Sequence, residues 1–137
     1  MDKSNPKRIL LIDDDPDLQV GAAARLCAAG YEARIANDGN EGLDAAIQCD
    51  PDAILMDIRM PECDGLEALR ALKLRDDTKD IPVIMLSASV SLRQTSLDQG
   101  AKYFIPKPYD GRALLAAVAS ATSDPSAAPE HVAVSTH

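Results

Sequence analysis

Three consecutive acids, Asp13, Asp14 and Asp15, follow one short apolar run of the chain, and a fourth acid, Asp57, ends another. Ser87 closes a third run and Lys107 follows a fourth. If these runs are neighbouring strands, about 4.8 Å apart, side chains from their ends converge on one small volume. Carboxylates held about 4 Å apart repel by roughly 4 kcal/mol per pair at an effective dielectric near 20, so something positive must sit among them. The candidates are the Lys107 ammonium group and a divalent cation. Mg²⁺ suits the cluster because it prefers oxygen ligands in an octahedron and keeps several waters, which leaves room for phosphate. A carboxylate beside Mg²⁺, a hydroxyl and an ammonium group are the parts that phosphoryl transfer needs, since its catalysis is chiefly positioning and charge neutralisation. Asp57 is then the nucleophile.

The elements that must position these residues are read from periodicity. Arg8 to Ile12 is a first strand, and the DDDP after it starts a helix, with Asp14 or Asp15 as cap and Pro16 in the first turn. Asp15 is the preferred cap, which leaves Asp13 and Asp14 for chemistry. The helix runs to about Ala29 and Gly30 stops it; Glu32 to Ala36 follows, where Ala33 and Ile35 alternate with Glu32 and Arg34 as in an edge strand. After a turn at Asn37-Asp38-Gly39, a helix over Asn40 to about Cys49 places Leu43, Ala46 and Ile47 at helical spacing, and Pro51 ends it. Ala53 to Met56 and Val83 to Leu86 are uninterrupted apolar runs, the pattern of strands covered by helices on both faces. Between them, a helix over about Gly65 to Arg75 carries Leu66, Leu69 and Leu72 or Lys73 on one stripe. A fourth helix is expected over about Ser91 to Gln99, stopped by Gly100, and then a short strand over Tyr103 to Ile105. Asp110 caps a last helix to about Thr122, with Leu114, Leu115 and Val118 as its apolar face.

Five βα units in succession, with right-handed crossovers, predict an α/β fold: a doubly wound five-stranded parallel sheet with helices on both faces, a flavodoxin-like three-layer sandwich. The expected strand order is 2-1-3-4-5. Strands one and three then meet at the switch point, where such sheets bind ligands beyond the carboxyl ends of their strands. The acids lie at that end. Residues 1–122 are read as the domain and residues 123–137, rich in Ser, Ala and Pro without a periodic apolar face, as a flexible tail.

With 137 residues, 46% hydrophobic and 26% charged, the composition is that of one soluble globular domain. A formal net charge of -8 argues against sequence-independent nucleic-acid binding and against anionic membrane surfaces. No run of about 18 apolar residues and no signal-peptide core is present, so a cytoplasmic location is expected. Cys27, Cys49 and Cys63 lack the spacing of a zinc site or disulfide framework, and His131 and His137 have no partner at metal-ligand spacing. The charged stretch Asp76, Asp77, Lys79 and Asp80 reads as a solvated loop.

The stretches ILLIDDDP, ILMDIRMPECDG, VIMLSAS and GAKYFIPKPY, in this order and at this spacing, closely resemble the receiver domains of two-component response regulators, similar to the single-domain chemotaxis type. The resemblance covers about Lys7 to Ala121. It implies that Asp57 is the phosphoacceptor, attacking the phosphohistidine of a sensor histidine kinase or histidine phosphotransfer protein, or a small phosphodonor. It implies that Asp14, Asp57 and the backbone carbonyl of Arg59 bind Mg²⁺, with Asp13 acting at the same ion partly through water. Ser87 takes the place of the switch hydroxyl, Lys107 pairs with the phosphoryl oxygens, and the Lys107-Pro108 bond is expected to be cis, a geometry that only an X-Pro bond adopts cheaply. The resemblance places the output surface on helix four, strand five and helix five, and kinase or phosphotransferase docking near helix one and the site loops. The implied protein is a phosphorylation switch that catalyses its own phosphorylation and dephosphorylation rather than a turnover enzyme. Its output is expected through protein partners, since no DNA-binding output domain is read in the chain.

Two departures from the family pattern bear on this reading. Phe104 stands where the family often has the Tyr of the switch; it can rotate, but has no hydroxyl to hold either state. Arg59, two residues after the acceptor, carries a long cation that could cover the phosphoryl group or reach Asp14. Two other functions compete. A phosphohydrolase of the haloacid-dehalogenase type would use Asp13 as nucleophile and needs a capping insertion, for which the length leaves little space. A pseudo-receiver acting only as an interaction module is opposed by the intact acids, hydroxyl and lysine.

Overall fold

Runs of four apolar residues fill the inner strands, and their period-two alternation feeds two separate cores. The structure, a computed structural model, describes residues 6–59 and 64–123. Its strands are β1 (Arg8–Ile12), β2 (Glu32–Ala36), β3 (Ala53–Asp57), β4 (Val83–Ser87) and β5 (Tyr103–Pro106). Its helices are α1 (Pro16–Ala28), α2 (Gly39–Cys49), α3 (Gly65–Leu74), α4 (Arg93–Asp98) and α5 (Gly111–Thr122). All pairings are parallel and the order is β2-β1-β3-β4-β5, as expected. Every residue of β3 and β4 is buried. Leu10, Ile12, Ile54, Met56, Val83 and Met85 face α2 and α3, where Ala46, Leu69 and Leu72 meet them. Ile9, Leu11, Leu55, Ile84 and Leu86 face the other way, onto Leu26 of α1 and Leu114 and Val118 of α5. The result is the three-layer sandwich.

The helix starts are specified by acids. Asp15, not Asp14, caps α1 by accepting from Asp17 N–H at 2.9 Å. Asp38, Asp64 and Asp110 cap α2, α3 and α5 in the same way. Gly30, at φ +96°, takes the left-handed conformation that ends α1, which costs an L side chain strain.

Several expectations are corrected in detail. The fourth helix does not start at Ser91: a 3₁₀ turn over Val90–Leu92 precedes α4, and neither start has a side-chain cap. Ser89, the residue placed to cap the turn, shares its hydroxyl with Ser91 instead, at 2.9 Å. Ile35 is 38% exposed and Ala36 is the buried residue of β2, because an edge strand is covered on fewer sides. Ile47 is also 38% exposed; the inner side of α2 is formed by small residues, Gly42, Ala45 and Ala46. A Cβ on Gly42 would collide with the Ile12 side chain, so that helix lies unusually close to β1. On α3 the buried stripe is Ala68, Leu69 and Leu72, and Lys73 instead clamps the next loop, donating to the carbonyls of Lys79 and Ile81 at 3.0 and 3.1 Å. Cys63, His131, His137 and, apart from Ser123, the tail lie outside the described residues.

Candidate functional site: an acidic cluster at the strand ends

The register of β1 on β3, with Ile12 opposite Met56, places the next residues, Asp13 and Asp57, side by side where the two strands end. Both are pressed against the core: Asp13 is 1% and Asp57 6% exposed. Asp14 is exposed, yet Asp13, Asp14 and Asp57 each bring a carboxylate oxygen to within 4.8 Å of the others. The Lys107 ammonium group, delivered from beyond β5, lies 3.2 Å from Asp57 Oδ1 and 3.8 Å from Asp13 Oδ2. Its own N–H donates to the Ser87 carbonyl at 2.8 Å, which ties the end of β5 to the end of β4. The Lys107-Pro108 peptide bond is cis.

Burial sets the electrostatics. It raises the Asp57 carboxyl above the usual carboxylate range, against the Lys107 ammonium group and the Arg59 N–H, which pull it down. It raises Asp13 as well, aided by the charge of Asp57 and opposed by the Asp15 N–H, which donates to Asp13 Oδ1 at 2.9 Å. Two of the three acids are therefore short of positive charge, even with Lys107 present. An all-oxygen donor set of this size, lacking one or more charges, fits a hard divalent cation such as Mg²⁺, which takes oxygen ligands and retains water.

The remaining residues singled out from the sequence fall around this cluster. Ser87 is 1% exposed, and its hydroxyl accepts from Ser89 N–H at 3.0 Å. That leaves the hydroxyl proton without a partner in this contact, so it is able to donate elsewhere. Arg59 is exposed, and its main chain is the part that reaches Asp57. Phe104 is half-buried, paired across the sheet with Met85, and lines a cavity of about 370 Å³ between α4, β5 and α5, together with Leu97 and Ala117. A second cavity of about 510 Å³ opens beside Lys107, between Leu18 and Gly21 of α1 and the Pro108-Tyr109 segment.

Sequence reading missed two supports of the site. Gly65 donates to the Ile58 carbonyl at 2.7 Å, and a Cβ there would lie 2.5 Å from Asp57 O. The signal was the DG pair, Asp64-Gly65, which opens α3 seven residues after Asp57. Gln19, half-buried on α1, donates to the Asp13 carbonyl at 2.6 Å and to Asn37 Oδ1 at 2.8 Å. Nothing in the local sequence marks that pairing.

Both the sequence and the fold match known proteins. The family model for the response regulator receiver domain matches residues 9–119. Response regulator MprA of Mycolicibacterium vanbaalenii is 42% identical over 113 residues, which cover 81% of this chain and 48% of that protein. MprA of Mycobacterium leprae is 39% identical over 132 residues, covering 93% of this chain and 57% of that protein. The chain spans about half the length of the curated relatives it matches. Among solved structures, a response regulator from Chloroflexus aurantiacus superposes with a TM-score of 0.84 at 28% identity, covering 88% of this chain and 100% of that one. The receiver domain of a sensor histidine kinase from Pseudomonas aeruginosa, which has a magnesium ion coordinated in its active-site cleft, gives 0.78 at 30% identity, covering 84% and 96%. No helix among the described residues is long and apolar enough to cross a membrane. Sheet order, clustered acids and sequence agree: the chain belongs to the response regulator receiver domain family.

Proposed function

We propose that the protein is a phosphorylation-dependent switch of a two-component system or phosphorelay in which Asp57 accepts the phosphoryl group. The observation that carries this reading is the pairing of a buried carboxylate with the Lys107 ammonium group at 3.2 Å inside a three-acid cluster. An Asp57 oxygen attacks phosphorus on the phosphohistidine of a sensor histidine kinase or histidine phosphotransfer protein. The P–N bond breaks, its electron pair returns to the histidine, and an acyl phosphate forms on Asp57. Lys107 holds one phosphoryl oxygen. Ser87 turns its hydroxyl to another, and Phe104 follows by rotation in the cavity beside it.

Asp14, Asp57 and the main-chain carbonyl of Arg59 are the residues that would hold Mg²⁺, with Asp13 acting partly through water; the ion supplies charge neutralisation for the transferring group. The protein is regulatory, catalysing only its own phosphorylation and dephosphorylation. Output passes to a protein target through the face formed by α4, β5 and α5, and the net charge of -8 makes nucleic acid an unsuitable partner for this domain. Residues 1–122 form the receiver unit with 123–137 as its tail, and the site of action is the cytoplasm.

The test is intact mass spectrometry after incubation with acetyl phosphate, with and without Mg²⁺. One phosphoryl group should be gained only with Mg²⁺, and Asp57→Asn should abolish the gain. Rapid release of phosphate with label on Asp13 would replace this reading with the hydrolase one.

A further inference from the structure

Asp13 is fastened at three points, two on its main chain and one on its carboxylate. Its N–H donates to the Ala36 carbonyl at 3.1 Å, its Oδ1 accepts from Asp15 N–H at 2.9 Å, and its carbonyl accepts from Gln19 Nε2 at 2.6 Å. The last bond is shorter than the usual N–H···O distance of about 2.9 Å. The same Gln19 nitrogen donates to Asn37 Oδ1 at 2.8 Å, and Asn37 donates through N and Nδ2 to Glu41 Oε1 at 2.7 and 3.1 Å. Chemistry at the two ends orients both amides. A main-chain carbonyl only accepts and so does a carboxylate, so Gln19 must present its NH₂ and Asn37 its oxygen between them. The bonds thus run from α2, through the turn after β2, to α1, and finish on the peptide that joins Asp13 to Asp14.

That peptide decides where Asp14 points. In an extended chain successive side chains leave on opposite faces. Asp13 and Asp14 nevertheless both bring an oxygen to the same cluster as Asp57. The chain must leave extended geometry between them, and holding the Asp13 carbonyl holds the plane of the connecting peptide. We propose that Gln19, itself held by Asn37 and Glu41, is a positioning residue for the divalent-cation site: it fixes the Asp13-Asp14 peptide and so keeps the exposed Asp14 carboxylate turned into the cluster. None of the three touches the cluster's carboxylates. The inference rests on the proposed reading of the acids as a Mg²⁺-dependent acceptor site.

The test is calorimetric titration of the full chain with Mg²⁺, alongside melting of each variant in EDTA. Gln19→Met keeps length and removes the donor; it should weaken Mg²⁺ affinity about 10-fold, the lower end of what loss of a ligand's supporting partner costs. Asn37→Ala, at an exposed position, should weaken affinity in a protein that still melts cooperatively. Combined with Gln19→Met it should add nothing, because both act through one chain of bonds. A merely structural glutamine would lower the melting temperature in EDTA and leave Mg²⁺ affinity within twofold of wild type; that result overturns the proposal. A wild-type chain that takes up no Mg²⁺ overturns the parent reading together with this one, whereas normal wild-type uptake with an unaffected Gln19→Met overturns this one alone.

Discussion

Neutralising Asp13 should stabilise the metal-free fold, although the residue belongs to the site. With carboxylate oxygens no more than 4.8 Å apart, each acid pair in the cluster repels by about 3.5 kcal/mol or more at an effective dielectric near 20. Asp13→Asn removes two such repulsions, about 7 kcal/mol, and one attraction to Lys107 at 3.8 Å, about 4 kcal/mol. Weakening of the bond from Asp15 N–H takes back about 1 kcal/mol. The balance favours the variant by about 2 kcal/mol, and relief of desolvation adds to it with the same sign. For a domain of this size that is a rise in melting temperature of about 5–10 °C, read by calorimetry in EDTA. Excess Mg²⁺ should narrow or reverse the order, since at 100 times its dissociation constant a ligand stabilises by about 2.7 kcal/mol and the variant has lost part of the site. The pH dependence has a definite sign. Asp13 and Asp57 have folded-state carboxyls raised above the ordinary range, so the folded protein binds these protons more tightly than the unfolded chain. Their penalty is therefore present at neutral pH and is relieved as pH falls through the raised values toward the ordinary carboxylate range. Asp13→Asn should lack its share of that slope. An Asp13→Asn protein that melts below wild type in EDTA, or that keeps the full wild-type slope, would refute the electrostatic account.

Lys107→Ala should act in the opposite direction, destabilising the metal-free protein by about 3 kcal/mol in a chemical denaturation series, because it strips two buried carboxylates of their shared cation. Gly65→Ala should cost about 1–3 kcal/mol in the same series and slow phosphorylation, because its Cβ meets the main chain of Asp57 and Ile58 rather than a yielding side chain. Thr78→Val should cost about 1 kcal/mol by removing the buried hydroxyl bond to Leu72 O at 2.7 Å, while leaving the mass gain from acetyl phosphate unchanged.

Much of this was legible along the chain because the signals are local. Uninterrupted runs such as Ala53 to Met56 specify buried strands through burial of consecutive side chains, and a parallel sheet of five βα units then has few arrangements. Once the order is known, Asp13, Asp57, Ser87 and Lys107 must stand at one end, since each ends or follows its own strand. The start of the fourth helix was not legible, because Ser89 had a competing partner in Ser91 and periodicity does not report which hydrogen bond wins. Nor was the inner side of α2, where close approach of Gly42 to Ile12 selected small residues over Ile47.

The sequence by itself determined the elements, their order and the kinds of group brought to the site, because these depend on residue type and on separations of a few positions. Only the tertiary structure decided that Lys107 lies nearer Asp57 than Asp13, that Asp14 stays exposed while its neighbour is buried, and that Gln19 reaches across 18 positions to Asn37. Those outcomes depend on distances between segments that no local pattern encodes, and on burial, which sets the strength of every charge in the cluster.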